Sequence, residues 1–308
     1  MPGKARFPSQ FSVPDGLIVI DKPRGPSSHQ ITAWVGEILG ARVGHAGTLD
    51  PGVSGVLTVM IGKAVRLAPL LLSEEKEYVC LLRIHKEQGP GRVEDVLAEF
   101  TGRIYQRPPR KSAVARNLRI RMIHEIELID SDKHLLLIRV RCDAGTYIRS
   151  LCHHIGFALG TGAHMVELRR TRSGQFHESQ SCTLQDLADA SAAARLGNPG
   201  ILQSLILLPD KALSSLPKVT IRDTAVDAVC HGAVLARPGL TRYDEFGKGA
   251  TVVLTTSRGE LIALGRALVS SKETDALKNG LIISPSTVFM EPGTYARGWR
   301  KSSRSGSP

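Results

Sequence analysis

No stretch of the 308 residues approaches the roughly 18 uninterrupted apolar residues that a membrane-spanning helix needs, and residues 1–10 hold no apolar signal-peptide core. The chain therefore reads as soluble and cytoplasmic, with no membrane partner. Cysteine is sparse: Cys80, Cys142, Cys152, Cys182 and Cys230 are odd in number, scattered, and form no C-x-x-C pair. That excludes a disulfide framework or a zinc ribbon and leaves buried reduced thiols as the expectation. The glycines supply no G-x-G-x-x-G after a strand, and Gly62-Lys63 is followed by Ala64, with Leu57 where a P-loop needs its first glycine. His153 and His154 are adjacent, so they point to different sides of a helix and lack metal-ligand spacing. No cofactor and no metal are expected.

What the chain does have is positive charge. Forty Lys and Arg stand against 29 Asp and Glu, a net +11 with a pI near 9.7, which points to an anionic partner such as nucleic acid. A length of 308 residues with 42% hydrophobic composition fits about two globular domains. The charge is uneven. Residues 1–216 carry 27 basic and 21 acidic side chains, residues 217–296 nine and eight, and residues 297–308 four and none. Within the first part, Arg103, Arg107, Arg110, Lys111, Arg116, Arg119 and Arg121 run without an intervening acid around Pro108-Pro109. A run of this kind is often only a solvated face, but its interleaving with Tyr105, Val114 and Leu118 favours a contact surface. A polar, Ala-rich stretch at residues 190–200 and the Leu216-Pro217 step mark a boundary. The expected parts are 1–216, a smaller domain over 217–296, and a mobile basic tail, 297–308, too polar to offset its chain entropy.

Periodicity gives a mixed secondary structure. Residues 16–20, 78–84, 122–129, 135–142 and 163–169 read as strands. Ser27-Ser28 can cap a helix that places Ile31, Trp34, Val35, Ile38 and Leu39 on one face and stops at Gly40, and Ile148, Leu151, Cys152, Ile155 and Leu159 have helical spacing. Beyond the boundary, 223–231 reads as a helix closed by Gly232, with strands at 250–255, 261–267 and 281–289. Strands not regularly separated by helices argue for an α+β chain with a mainly antiparallel or mixed sheet.

One segment concentrates small residues around a single histidine and a single aspartate: Gly44-His45-Ala46-Gly47-Thr48-Leu49-Asp50-Pro51-Gly52-Val53-Ser54-Gly55. Such a loop lets another backbone approach closely, although an isolated Asp-Pro usually does no more than start a turn. It keeps company with Asp21-Lys22-Pro23-x-Gly25-x-Ser27-Ser28, with Lys76-x-Tyr78 opening a strand, with Gly145-Thr146-Tyr147-Ile148-Arg149 before a helix, and with Leu168-Arg169-Arg170-Thr171-Arg172-x-Gly174. Together and in this order they resemble the TruB/dyskerin family of pseudouridine synthases, over roughly residues 15–187. Residues 219–289, with Gly232-Ala233, Gly247-Lys248-Gly249 and Ile262-Ala263-Leu264-Gly265-Arg266-Ala267, resemble a PUA domain, a small β-barrel-like RNA-binding module. The compact segment Pro108-Pro109-Arg110-Lys111-Ser112-Ala113-Val114 is closer to the dyskerin branch than to the bacterial tRNA enzyme, and the short tail is closer to its archaeal members. Ala46 departs from the Ser, Gly or Thr usual in the family. Gly52 stands where this branch often has a basic residue, which removes a phosphate contact.

The resemblance implies a pseudouridine synthase fold and an RNA isomerase. Converting uridine to pseudouridine breaks the C1′–N1 bond, turns the base, joins C5 to C1′ and releases the C5 proton, with no redox step. A carboxylate beside C1′ can capture the sugar or manage a sugar proton, and Asp50 is the candidate. By resemblance Arg149 is the guanidinium that orients it. Tyr78, which alone would read as a core aromatic, would stack on the base and bring its phenol near C5. His45 would hold the flipped-out RNA, and Leu168 and Lys22 would shape the pocket, Lys22 equally well by bracing the sheet end and the loop as by touching substrate. Arg110 and Lys111, with Arg169, Arg170 and Arg172, would grip phosphates.

The expected partners are a guide RNA whose 3′ trinucleotide the PUA domain holds, a substrate rRNA or tRNA, and the small accessory proteins of a box H/ACA ribonucleoprotein. Three other readings stand beside this one: a stand-alone tRNA pseudouridine synthase, an RNA-binding scaffold with a vestigial site, and a generic basic translation factor. The first is separated by activity on tRNA without a guide. Asp50, Tyr78 and Arg149 occurring together argue against the second, and the ordered motifs are unexplained by the third.

Overall fold

The computed structural model describes residue 7 and residues 12–108 and 117–296. The chain divides into two compact units, Met1–Pro209 and Asp210–Pro308. Arg110, Lys111 and Arg116 of the basic run and the tail from residue 297 lie outside the described residues.

The first unit contains, in order, β1 (Gly16–Lys22), α1 (Ser28–Leu39), β2 (Val43–Ala46), β3 (Ser54–Ile61), α2 (Ala68–Ser73), β4 (Lys76–Ile84), α3 (Pro90–Glu99), β5 (Gly102–Gln106), β6 (Arg119–Asp132), β7 (Leu135–Cys142), α4 (Ile148–Ala158), β8 (Ala163–Ser173), β9 (Phe176–His177), α5 (Leu184–Arg195) and α6 (Gly200–Leu205). Its strands form one mixed sheet in the order β1-β3-β8-β4-β7-β6-β5, with β2 on β3 and β9 on β8. Most neighbours are antiparallel, but β3 and β8 run parallel and meet only at Ser54–Arg169 and Gly55–Arg170. That seam sets the site.

Two apolar clusters cover the sheet. Cys80, Leu82 and Ile84 of β4 and Ile138 and Val140 of β7 alternate inward with period two, and pack with Val93 and Val96 of α3 and Leu151, Cys152 and Ile155 of α4. The second cluster joins Ile18, Ile20, Leu57 and Val59 to Ile31, Val35 and Leu39 of α1 and Leu187, Ala190 and Ala194 of α5. Full burial of a Leu or Ile side chain is worth about 1.5–3 kcal/mol, so these clusters anchor the elements on which the site is mounted.

Helix α1 starts and stops where its sequence says. Ser27 accepts from the Gln30 N–H while the Gln30 side chain accepts from the Ser27 N–H, a reciprocal capping box, and Gly40 closes the helix in the left-handed region at φ 63°. Trp34 departs from expectation: it is 42% exposed, and the buried stripe is Ser28, Ile31, Thr32, Val35 and Leu39. The inward arc is narrow enough that the large indole is left on its rim. All five cysteines are buried and free, with Cys80 and Cys152 Sγ atoms 3.5 Å apart. This thiol–thiol contact, with burial adding to it, pushes the Cys80 thiol far up, which leaves it inert.

One turn, α7 (Pro209–Ala212), leads into the second unit, which contains β10 (Lys218–Ile221), α8 (Asp223–Cys230), β11 (Leu235–Ala236), β12 (Leu240–Tyr243), β13 (Thr251–Thr255), β14 (Leu261–Ala267), α9 (Ser271–Ala276) and β15 (Leu281–Val288). Its six-stranded mixed sheet runs β11-β15-β14-β13-β10-β12, with β10 and β13 parallel. Val226, Val229 and Cys230 of α8 cover an apolar core built from Val219, Ile221, Val252, Leu254, Ile262 and Ile282. Among the described residues of both units, no helix is long and apolar enough to cross a membrane.

Candidate active site

Asp50 lies between β2 and β3, and the turn begins with the Val53 N–H bonded to the Asp50 carbonyl at 3.0 Å. The loop is held from below at nearly every residue. Ser28 accepts from the Leu49 N–H at 2.8 Å and donates to the Leu49 carbonyl at 3.0 Å, so one buried hydroxyl fixes the residue before Asp50 on both sides. The Gly25 N–H donates to the Pro51 carbonyl at 2.8 Å. Lys22 is fully buried, and its ammonium donates to the carbonyls of Pro23 (2.8 Å), Pro51 (3.4 Å) and Val53 (2.7 Å). Burial lowers its pKa, and the Arg170 charge adds to that. With three carbonyls around it, this ammonium braces the end of β1 and the loop.

Arg170 holds the other end. Only 1% exposed, its guanidinium donates through Nη2 to the Gly47 carbonyl and through Nε to the Val56 carbonyl, both at 2.8 Å. It spans the seam between loop, β3 and β8. Two glycines make room: Gly47, at φ 79°, lies where a Cβ would come within 3.3 Å of Arg170 Nη1, and Gly55, at φ 101°, where a Cβ would fall 2.2 Å from the Arg170 carbonyl oxygen. The expectation that Arg170 grips a phosphate is therefore corrected. Arg170 is enclosed, and Arg169 is engaged by Asp21 (2.9 and 3.1 Å) and Glu178 (2.8 Å). The sequence shows the sign of these charges but not the carboxylates and carbonyls that already use them.

Above this base the Asp50 carboxylate is exposed and accepts a 2.6 Å charge-assisted bond from Arg149 Nη2. Arg149 stands in the first turn of α4. Tyr78, half-buried in β4, registers opposite Arg170 of β8 and Val140 of β7, on the face that carries Cys80. Burial raises the Tyr78 pKa, with the Arg170 guanidinium opposing it and the Asp50 charge adding to it, so the phenol keeps its proton and lies within electrostatic reach of the loop. Leu168, 7% exposed, registers with Cys80 in the same apolar cluster.

His45 is the penultimate residue of β2, at the loop entrance. Its Nδ1 lies 2.9 Å from Thr32 Oγ1, its Nε2 3.3 Å from Thr48 Oγ1, and the His29 ring meets it edge-on at 4.9 Å. Burial, with His29 and Arg170 nearby, lowers its pKa, which favours a neutral ring. Structure thus brings Lys22, His45, Asp50, Tyr78 and Arg149 around one loop, with Leu168 beneath. Sequence reasoning passed over Arg170 as an internal strut and Ser28 as a clamp. For Ser28 a signal existed: only one serine of the Ser27-Ser28 pair is needed for the cap.

Beside the site, Lys76 is 3% exposed and donates to the carbonyls of Leu71 (3.0 Å) and Glu74 (2.8 Å). Burial lowers its pKa to about 8, and burial raises that of Glu74 to about 7. Among the described residues, no group of three or more His, Cys, Asp or Glu side chains is arranged to hold a metal ion. Tyr105 (62%) and Leu118 (56%), both interleaved in the basic run, are exposed.

An exposed aspartate on a braced loop, paired with an arginine and within electrostatic reach of a half-buried tyrosine, brings together an anionic carboxylate and a protonated phenol. Three family models match in sequence along the chain: the N-terminal domain of the TruB family pseudouridylate synthases (residues 37–89 and 85–148), the C-terminal domain of tRNA pseudouridylate synthase B (149–214) and the PUA domain (217–289). They define an RNA-isomerising pseudouridine synthase with a PUA domain appended. This chain belongs to the TruB family. It is 49% identical to a probable tRNA pseudouridine synthase B of Methanosarcina barkeri over 93% of its length and 86% of that protein's. Among solved structures it matches Cbf5 in a Cbf5-Nop10-Gar1 complex (43% identity, TM-score 0.86, 95% of this chain and 92% of that one). It also matches a chain of an H/ACA RNP bound to a substrate RNA containing 2′-deoxyuridine (40%, TM-score 0.85, 96% and 95%).

Proposed function

We propose that this chain is the catalytic subunit of a box H/ACA ribonucleoprotein and isomerises uridine to pseudouridine in ribosomal RNA at positions chosen by a guide RNA. The observation that carries this reading is likeness along nearly the whole chain, both units included, to Cbf5 in a complex with Nop10 and Gar1 and to a chain of an H/ACA RNP with substrate RNA. In this reading residues 1–216 catalyse, residues 217–296 bind the guide, and the basic tail at 297–308 adds charge. The RNA substrate is met in the cytoplasm.

Each side chain then has a task. Arg149 presents the Asp50 carboxylate to C1′ of a flipped-out uridine. As the C1′–N1 bond breaks, the carboxylate either bonds to C1′ or takes a sugar proton; the base turns against the Tyr78 ring, C5 joins C1′, and the C5 proton leaves to solvent as N1 regains one. His45 holds the flipped-out RNA at the loop entrance, Leu168 closes the pocket, Lys22 and Arg170 hold the loop rigid, and Arg110 and Lys111 meet phosphates. Preorganisation matters because a loop fixed before substrate arrives spends no binding energy on ordering.

A second reading, a stand-alone tRNA enzyme, is favoured by the name of the Methanosarcina barkeri relative. Tritium release from C5-labelled uridine separates the two. Release from rRNA fragments only with guide RNA and accessory proteins supports the guided enzyme. Release from tRNA by the chain alone supports the second reading, and no release under either condition overturns both.

A further inference from the structure

We infer that Gln106 is a positioning residue for Arg149. This rests on the assignment of Asp50 and Arg149 above and extends it to a side chain 43 residues away in sequence, outside every motif that identified the site.

Gln106 is the last residue of β5, the edge strand, and is 1% exposed. Its amide makes two bonds to one residue: Oε1 accepts from the Tyr147 N–H at 2.9 Å, and Nε2 donates to the Tyr147 carbonyl at 3.1 Å. This is the pairing a neighbouring strand would supply, delivered by one side chain. It fixes the peptide planes on both sides of Tyr147, which is extended at φ −95°, ψ 97° and launches α4. No side-chain cap closes that helix start, and the amide ties its N-cap residue to the sheet. The same Tyr147 carbonyl also accepts the first helical bond, from the Leu151 N–H at 3.0 Å.

Arg149 follows two residues later. Its guanidinium must meet a carboxylate on a different loop at 2.6 Å, and both side chains are more than half exposed, so no packing around them enforces the meeting. Alignment has to come from the backbone. The upstream end of the same segment is pinned separately. Asp143 accepts from the Met122 N–H at 3.0 Å, its N–H donates to the Met122 carbonyl at 2.9 Å, and its Oδ1 lies 3.0 Å from Nε2 of His124. His124 is the extra residue where the β6–β7 register slips, a bulge that turns the imidazole toward Asp143. Thr146 Oγ1 donates back to the Asp143 carbonyl at 2.7 Å. Segment 143–147 is thus clamped at both ends, and the end next to Arg149 is Gln106's. The amide offers the donor and the acceptor together at this length. Met keeps the length and loses both bonds, and Glu keeps the acceptor alone.

The test uses the assembly or substrate on which the wild type releases tritium, with Gln106→Met and Gln106→Glu each combined with Arg149→Lys. Misplacement of a reacting group by about 1 Å costs about a hundredfold in rate, so Gln106→Met is expected to lower the single-turnover rate roughly 10- to 100-fold while RNA affinity stays within about twofold. Gln106→Glu is expected between the two. In the Arg149→Lys background, Gln106→Met is expected to cost less than about threefold, because the group it positions is already gone. An equal fold-loss in both backgrounds, or a wild-type rate in Gln106→Met, overturns the inference; a purely structural role gives the first. Should Gln106→Met not fold, Gln106→Glu carries the same cycle. Release by Asp50→Ala overturns the reading of the site instead, so the two failures are told apart.

Discussion

Replacing Arg170 by methionine separates two uses of a positive charge that the sequence cannot distinguish. In the structure the guanidinium is an internal strut, 1% exposed, bonded to the Gly47 and Val56 carbonyls at 2.8 Å each. A hydrogen bond to a charged group is worth about 1.5–3 kcal/mol, and methionine leaves both carbonyls without that donor. Against this, a buried cation beside Lys22 and Lys76 is itself expensive, and removing it returns part of the loss. The net expectation is a destabilisation of about 3 kcal/mol, which for a unit of this size lowers Tm by roughly 6–12 °C. The isomerisation rate falls further, because the loop carrying Asp50 is no longer tied to β3. The assay that decides is RNA binding against salt. A lost phosphate contact reduces the slope of log K against log salt by about 0.7–0.9, and a lost strut leaves it unchanged. A stable Arg170→Met protein with a shallower salt slope would refute the reasoning.

Other perturbations follow from the same geometry. Lys22→Met removes the donor shared by the Pro23, Pro51 and Val53 carbonyls and is expected to lower stability by about 1–3 kcal/mol, read as a denaturant midpoint, with a loss of rate and unchanged RNA affinity. Gly55→Ala places a methyl 2.2 Å from the Arg170 carbonyl oxygen at a positive φ, so it parts β3 from β8 and is expected to destabilise by more than about 3 kcal/mol. Leu168→Ala, at 7% exposure, is expected to cost about 2–4 kcal/mol in thermal unfolding. Glu74 and Lys76 give a pH signature. With the Glu74 pKa raised from 4.5 to about 7, the native state holds a proton that the unfolded chain releases, so stability falls as pH rises from about 4.5 to 7. With that of Lys76 lowered from 10.5 to about 8, the unfolded chain binds the extra proton between 8 and 10.5, so stability rises there. Glu74→Gln should flatten the falling limb in a comparison of unfolding free energies with wild type, and an unchanged limb contradicts the assignment.

The sequence was legible where a local rule has one solution. Ser27, Gln30 and Gly40 specify the ends of α1, and the spacing of Ile148, Leu151, Cys152 and Ile155 specifies the buried face of α4. Strand β3 was not visible, because nearly every residue of it is buried and a continuous apolar run has no period to read. Helix α5 was missed for the opposite reason: its small alanines resemble a linker until α1 packs on them. The loop and its aspartate were visible as a cluster of small residues around a single carboxylate. Ser28, Gln106 and Arg170, which hold the site, were not recognised in those roles. Their partners are backbone carbonyls and N–H groups 21, 41 and more than 100 residues away, and backbone groups leave no mark in a sequence.

The central claim is that Asp50 carries the isomerisation, and the exposed Asp50–Arg149 pair makes it cleanly testable, since a surface ion pair adds only about 0–1 kcal/mol to stability. The direct measurement is tritium release from C5-labelled uridine in RNA by wild type and by Asp50→Ala, with RNA affinity and Tm recorded on the same preparations. The expected result is release by the wild type and none by the variant, at unchanged affinity and a Tm within a few degrees. Release by Asp50→Ala at a rate near that of the wild type would contradict the account.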